Sequence, residues 1–444
     1  MEHDLTKGPI TRTLITFVIP FLVSTIIQFC YTIADLVVLG RFASSVALSA
    51  VNTSGQIMMI LTCMIVGLAT GGTIVIGQAF GAGNRARVKQ AVTGILYVFI
   101  GTSIILTVFT VILTDPLIAV TRVPGESAAP AADYLRICAF GFTFITGYNC
   151  ISGILRGIGD SKHPMYFVIV SSIFNIVGDL ILVGGLGMGA AGAAYATVLA
   201  QLLAFILSIV ILQKSEYPIS KETFRFLSEP FRDVLKIGIP LGLQELLPMI
   251  SFLMVTVMIN AMGFVERSAG VGVVERVVGV GTLFPIAFTP AISAFTAQNV
   301  GAEEYVRTRK GLQISITVCL ISTAIFWAVA FFFPEFTISI FSNESDVIRY
   351  GADYLRSYCF DMPLVSFVFC LNGFFSGYGK TRFTMANCII STFCVRVPIV
   401  YFACRIPDVS FVLVGCAAPI TSVIQIVMQL FYYRFGAWRK IAKM

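Results

Sequence analysis

Seven charged side chains fall inside stretches that are otherwise apolar: Asp35, Asp179, Glu245, Glu275, Arg276, Asp361 and Arg396. A charge in hydrocarbon costs about 2.5–3.5 kcal/mol on insertion scales, so each should have a partner or a task. Asp35 and Asp179 form the most coherent pair. Each lies 15 residues beyond a proline, Pro20 or Pro164. At about 1.5 Å per residue, both reach a similar depth along spans that climb from the same side. Asn175 precedes Asp179 by four residues and shares its helical face. Thr197 descends from the opposite side to a comparable depth, and Gln28 lies two turns below Asp35 on one face. Two carboxylates, an amide and a hydroxyl at one level make a site for a cation or a proton, because acids crowded in a low dielectric favour sharing a proton over carrying two charges. The alternative is two acids merely hydrogen-bonded between helices, which is a costly use of two unpaired charges.

The other charges divide differently. Arg396 lies at a depth similar to Asp361 on the neighbouring span, so a structural ion pair between them is expected. Glu275 and Arg276 either pair locally or have separate partners, since adjacent helical residues do not face each other. Glu245 is deeper and has no obvious partner, which leaves contact with a cationic compound or binding of a proton. Gln28, Glu245, Glu275, Asp361 and Arg396 are the candidate polar lining of a cavity. Met58, Met59, Met64, Met254, Met258 and Phe284 could add an adaptable apolar lining, although such stripes more often pack helices.

The elements that position these groups are membrane spans. Hydrophobic residues make up 57% of the chain and charged residues 12%, against about a quarter charged in soluble domains. Stretches long enough to cross a bilayer, about 20 residues each, fall near 12–39, 46–77, 90–113, 133–157, 164–184, 190–213, 234–260, 270–297, 310–333, 353–376, 383–403 and 409–434. No stretch alternates in the manner of an outer-membrane barrel strand. The fold class is therefore an all-α polytopic membrane protein with twelve transmembrane helices. The short polar N-terminus, Met1 to Pro9, runs directly into the first span and lacks the pattern of a cleavable signal peptide. No loop is long enough for a soluble nucleotide-binding domain, which excludes ATP-driven chemistry and leaves no enzyme signature. The 11 cysteines lack metal-ligand spacing and are expected to be small packing residues, with no metal site apart from possible Na⁺ at the acid cluster.

The net charge of +7 is a topology signal and not a sign of nucleic-acid binding. With both termini on one side, 21 Lys and Arg fall there and 7 on the other. The positive-inside rule then makes both termini cytoplasmic, in the plasma (inner) membrane.

The chain is also written twice. An offset of 220 places Arg12, Pro20, Gln78, Gly81 and Ala82 on Arg232, Pro240, Gln298, Gly301 and Ala302. The same offset places Ala132-Asp133-Tyr134-Leu135-Arg136 on Ala352-Asp353-Tyr354-Leu355-Arg356, and Gly153, Gly157 and Gly159 on Gly373, Gly377 and Gly379. Six spans per repeat return the chain to the side it left, so the lobes 1–220 and 221–444 are parallel repeats with a pathway between them. Pro20 and Pro240 are candidate hinges, and the repeated glycine blocks are expected as tight turns, since no Lys-Ser/Thr completes a phosphate-binding loop. The acid cluster is not repeated: Asp35, Asn175 and Asp179 become Val255, Val395 and Ile399.

Taken in order, these blocks resemble the MATE (multidrug and toxic compound extrusion) transporters. The resemblance is carried by Pro20 and Asp35, Gly77-Gln78-Ala79-Phe80-Gly81-Ala82-Gly83, Leu155-Arg156-Gly157-Ile158-Gly159-Asp160 and Asn175-Ile176-Val177-Gly178-Asp179. Gly192-Ala193-Ala194-Tyr195-Ala196-Thr197 and Ala297-Gln298-Asn299-Val300-Gly301-Ala302 complete it, and it spans essentially the whole chain. It implies two six-helix lobes around a V-shaped cavity, export of amphipathic, often cationic, drugs or toxins, and antiport with H⁺ or Na⁺ without a cofactor. By position, Asp35, Asn175, Asp179 and Thr197 match the family's cation site in the N-terminal lobe, and Gln28 a cavity-lining residue. Glu245 and Asp361 are in the spans used by the branch with coupling acids in the second lobe, but each is displaced, which favours coupling in the first lobe. The expected partners are small amphipathic compounds and membrane lipids, with no nucleic acid, and the monomer is the expected functional unit. The alternative is a flippase for a lipid-linked oligosaccharide or another amphipathic lipid, which the same superfold could serve.

Overall fold

The computed structural model describes residues 4–220, 227–260, 265–406 and 410–442. Every regular element among the described residues is helical, as a backbone that must satisfy itself within hydrocarbon requires. The first repeat contains α1 (Ile10–Phe42), α2 (Ser45–Gly81), α3 (Arg85–Thr121), α4 (Gly125–Gly157), α5 (Lys162–Asp179) and α6 (Gly189–Gln213). Between the last two, α5 continues as a π-helical segment over Leu180–Gly185. The second repeat begins with α7 (Ser228–Asn260), α8 (Val265–Gly281), α9 (Leu283–Gly301) and α10 (Tyr305–Phe332). It continues with α11 (Pro334–Ser339), α12 (Ser345–Tyr358), α13 (Asp361–Gly377) and α14 (Thr381–Ser391), then a π-helical turn, Thr392–Arg396. The last elements are α15 (Val397–Ala403), α16 (Phe411–Gly415), α17 (Ala417–Phe435) and α18 (Trp438–Ile441).

Among the described residues, ten helical runs are long and apolar enough to cross a membrane, and two bent pairs bring the number of spans to twelve. Spans 8 and 10, expected over 270–297 and 353–376, each bend by 48°: Ala269–Gly281 against Leu283–Gly301, and Ser345–Tyr358 against Asp361–Gly377. Proline explains both breaks. Pro285 and Pro363 lie in the first turn after each break and have no N–H for the carbonyls of Gly281 and Cys359. At the first break the Thr282 hydroxyl donates to the Val278 carbonyl at 3.0 Å, a bond that also bends helices. By contrast, α1 and α7 continue through Pro20 and Pro240.

The chain forms two compact units, one comprising Met1–Leu5 and Ile19–Gly242, the other Thr6–Val18 and Leu243–Met444. The sequence repeat divides at 220/221, whereas compactness divides inside α1 and α7, close to Pro20 and Pro240. Glycine contacts in the first unit explain why it retains the start of α7. A Cβ built on Gly67 of α2 would lie 2.1 Å from the backbone nitrogen of Gly242, and one on Gly71 would lie 2.6 Å from the Cα of Gly238. The two helices thus meet backbone to backbone, as small residues four apart on both helices permit. Buried apolar residues of α3, α4, α5 and α6, among them Ile95, Ile154, Phe167 and Leu212, complete one core together with Val234 of α7. The second unit has its own core around Val274, Leu355, Val400 and Val414.

Of the repeated glycines, Gly159 and Gly379 do serve turns, with φ of +91° and +71°. Gly157 and Gly377, also expected in turns, end α4 and α13 and pack those helices against their neighbours. A Cβ on either would come within 3.0 Å of a backbone carbonyl oxygen or closer, that of Thr73 or of Ser293.

An equivalent arginine in each repeat fixes the start of a swapped helix. In the first unit, Arg87 Nη2 lies 2.6 Å from Asp233 and 3.0 Å from Glu229, both in the first turns of α7. In the second, Arg307 donates to the carbonyls of Gly8 at 2.8 Å and Lys7 at 3.2 Å, at the start of α1. Arg87→Gln is expected to destabilise the protein by about 1 kcal/mol at low salt, with the loss shrinking near 1 M salt as screening replaces the pair. Thermal unfolding at two ionic strengths measures this, and a loss indifferent to salt would contradict an electrostatic role.

Candidate functional site

The first-repeat acids converge because three helices approach at one level. Gly178 on α5 lies against Ala196 on α6, where an added Cβ would be 3.0 Å from the alanine methyl, and this brings Asn175 to Thr197. Asp179 ends the regular part of α5, and the wider turn that follows re-aims the chain beyond it. Asn175 and Asp179 are buried, at 3% and 0% exposure, while Asp35 of α1 and Thr197 are half-buried.

The Asp35 and Asp179 carboxyls face each other within hydrogen-bonding reach. Two carboxylates this close need a shared proton or a cation between them. With its amide nitrogen turned to the acid, Asn175 donates to Asp179 Oδ2 at 3.0 Å and its oxygen accepts from the Thr197 N–H at 3.2 Å. In the opposite orientation the nitrogen donates to Thr197 Oγ1 at 3.3 Å. The first orientation satisfies the acid and is preferred on that ground. Asp179 Oδ1 is buried without a hydrogen-bond partner, so one oxygen of the pair is available to a proton or cation.

Two residues of this site were not anticipated from sequence. The hydroxyls of Tyr31 on α1 and Tyr134 on α4 face Thr197 and lie in the field of Asp35. Tyr31 precedes Asp35 by four residues, one turn along the same face, and Tyr134 lies in the repeated Ala-Asp-Tyr-Leu-Arg block, so both carried a usable signal. Gln28 is exposed two turns below Asp35.

The second unit gathers a different cluster. Arg396, expected opposite Asp361, instead has its nearest carboxylate in Glu275, at 3.6 Å, and donates to the Tyr358 hydroxyl at 3.3 Å. Asp361 accepts from Ser422 at 2.5 Å and lies in the field of Arg396. Glu275 therefore pairs across helices and not with Arg276, which is exposed. Tyr354, the repeat counterpart of Tyr134, borders this cluster. Glu245 stands apart beside Cys388, exposed on α7. Arg396→Gln, which leaves Glu275 without its countercharge, is expected to cost about 3–5 kcal/mol. Adding Glu275→Gln should recover most of that loss in thermal unfolding, whereas simple additivity would show that the two side chains are uncoupled.

Comparisons with known proteins agree with the duplication. The MatE family model matches twice, over residues 20–181 and 240–402, with starting points 220 residues apart. The chain is 28% identical over 448 residues to a probable multidrug resistance protein, YpnP, of Bacillus subtilis, covering 98% of each chain. It is 25% identical over 444 residues to a second such protein of that organism, YoeA, covering 98% of this chain and 95% of the relative. In fold it is similar to a MOP superfamily transporter from Pyrococcus furiosus, with a TM-score of 0.91, 22% identity and 98% of each chain covered.

Proposed function

Since the chain belongs to the MatE family, and is thus a multipass membrane transporter and not an enzyme, we propose that it exports amphipathic, often cationic, drugs or toxins in exchange for inward H⁺ or Na⁺. The relatives' names as multidrug resistance proteins support the substrate class. The observation that carries the coupling is the facing pair Asp35 and Asp179, with Asn175 and Thr197 beside it and an unbonded carboxylate oxygen at its centre.

The ion binds at this pair from the outside and is released to the cytoplasm after the lobes alternate. Asn175 orients Asp179, the Tyr31 and Tyr134 hydroxyls support Thr197, and Asp35 supplies the second carboxylate. Neutralising the pair removes the repulsion between α1 and α5, and α1 and α7 adjust at Pro20 and Pro240, near which the compact units divide. Gln28, Glu245, Glu275, Asp361 and Arg396 are the polar contacts of the exported compound. The monomer is the working unit, and the plasma membrane orientation has both termini cytoplasmic, as the lysine and arginine bias supports.

Vesicles containing the purified protein and a fluorescent cationic dye test this directly. Dye movement is expected to accelerate under an opposed gradient of pH or of Na⁺. Rates indifferent to both gradients would defeat the antiport proposal.

A further inference from the structure

A cleft at the Arg122 end of α3 is separate from the acid site and from the export pathway proposed above. Its cavity volume is about 450 Å³, and it lies between the last turns of α3 and the first turns of α4. That volume falls among small-molecule sites, which span about 300–1,000 Å³. Its polar lining is Asp115, Arg122, Asp133 and Arg136, over an apolar floor that includes Ile118 and Ala132.

Charge complementarity defines what fits. Arg136 bridges the two helices, 2.7 Å from Asp115 and 3.5 Å from Asp133. Two carboxylates sharing one guanidinium leave one negative charge uncompensated. Arg122 is in no ion pair among the described residues and adds one uncompensated positive charge. A zwitterion with an ammonium and an anionic group matches this arrangement, the ammonium donating to the carboxylates and the anion accepting from Arg122.

The surroundings say where such a zwitterion comes from. Below the cleft, α3 exposes Ile104 at 59%, Ile105 at 67% and Ile112 at 69%, a face that lies against acyl chains in a membrane. Asp115 is the first charged residue after the apolar run of this span, which puts the cleft at headgroup level. We propose that this cleft binds the headgroup of a phosphatidylethanolamine in the outer leaflet, on the topology proposed above, with the phosphate on Arg122 and the primary ammonium on Asp115 and Asp133. A choline headgroup has no N–H to donate, and a glycerol headgroup has no cation.

The second repeat supplies a built-in contrast. The same clasp recurs there as Arg356 with Glu335 at 3.6 Å and Asp353 at 3.5 Å, each at the 220 offset. Arg122, however, becomes Ser342, so the second clasp has no arginine at that position.

Arg122 also lends itself to a clean substitution. Its φ of +51° is one that glycine adopts at lower cost, so Arg122→Gly removes the guanidinium without straining the turn. Native mass spectrometry of the full-length protein in detergent, titrated with dioleoyl lipids, is the test. The wild type is expected to hold one phosphatidylethanolamine at concentrations about tenfold below those needed for phosphatidylcholine or phosphatidylglycerol. Arg122→Gly should lose that preference, and Arg122→Lys should keep it. Equal retention of the three lipids, or an unchanged preference in Arg122→Gly, would overturn the proposal. So would soluble O-phosphoethanolamine binding as tightly as the lipid, because the acyl chains would then contribute nothing.

Discussion

Asp35→Asn and Asp179→Asn are each expected to abolish gradient-driven export while leaving the protein folded. One charge moving inward gains about 2.3 kcal/mol per 100 mV, a bias of about fiftyfold in the position of a two-state cycle. An asparagine at either position is isosteric with the acid but carries no titratable proton and no charge for Na⁺. The asparagine amide can still hydrogen-bond to the remaining carboxylate, so the local packing between α1 and α5 survives. The expected signature is therefore loss of up to about fiftyfold in dye accumulation at 100 mV, with dye binding to the purified protein retained. Asn175→Ala should give a partial version, because it leaves both acids but removes the amide that orients Asp179. Export at the wild-type rate by both aspartate variants, in protein shown to reach the membrane, would sink the coupling role of this pair.

The second large effect is expected where α2 meets α7. Gly67→Leu would drive side chain into backbone, because a Cβ at Gly67 lies 2.1 and 2.2 Å from Gly242 backbone atoms. A Cβ at Gly242 instead meets the Met64 Sδ at 2.6 Å and its Cα at 3.1 Å, so Gly242→Leu should cost less. At Gly67 no rotamer relieves a clash made by Cβ itself, so the helices must separate and lose contact along their length. Overpacking of this kind costs about 1–3 kcal/mol per site, with larger values when backbone must move. Gly55 provides the control on the same helix. Nothing lies within 4 Å of a Cβ built there, and Gly55→Ala should be neutral or stabilising by up to about 1 kcal/mol. The melting temperature and the monodisperse yield of the three proteins measure this, and equal behaviour of Gly55→Ala and Gly67→Leu would refute a tight seam.

The sequence carried the acid site well and the second cluster poorly, for a geometric reason. Counting residues from Pro20 and Pro164 places Asp35 and Asp179 at one depth because α1 and α5 are regular between those points. The same counting brings Arg396 into the field of Asp361 but does not find its ion-pair partner. Asp361 follows a 48° break, and Arg396 ends a π-helical turn that rotates the side chains around the axis, so the arginine meets Glu275. Depth counting considered charged and amide groups and so passed over Tyr31 and Tyr134, although repeat position already marked the second. Twelve spans and the two repeats were legible because apolar length and a fixed offset are one-dimensional properties. The α2–α7 seam was not, because Gly67, Gly71, Gly238 and Gly242 correspond to Ala287, Ala291, Val18 and Leu22 and do not stand out in a search for what the repeats share.

The exchange of helix starts between units also sets a clock on synthesis. Arg307 reaches the carbonyls of Lys7 and Gly8 across 300 and 299 residues of chain. At about 5–20 residues per second, a ribosome takes roughly 15–60 s to traverse that interval. During that time Lys7 and Gly8 cannot form their native contact with Arg307, however fast the local helix forms. The start of α1 is thus made long before the residue that fastens it.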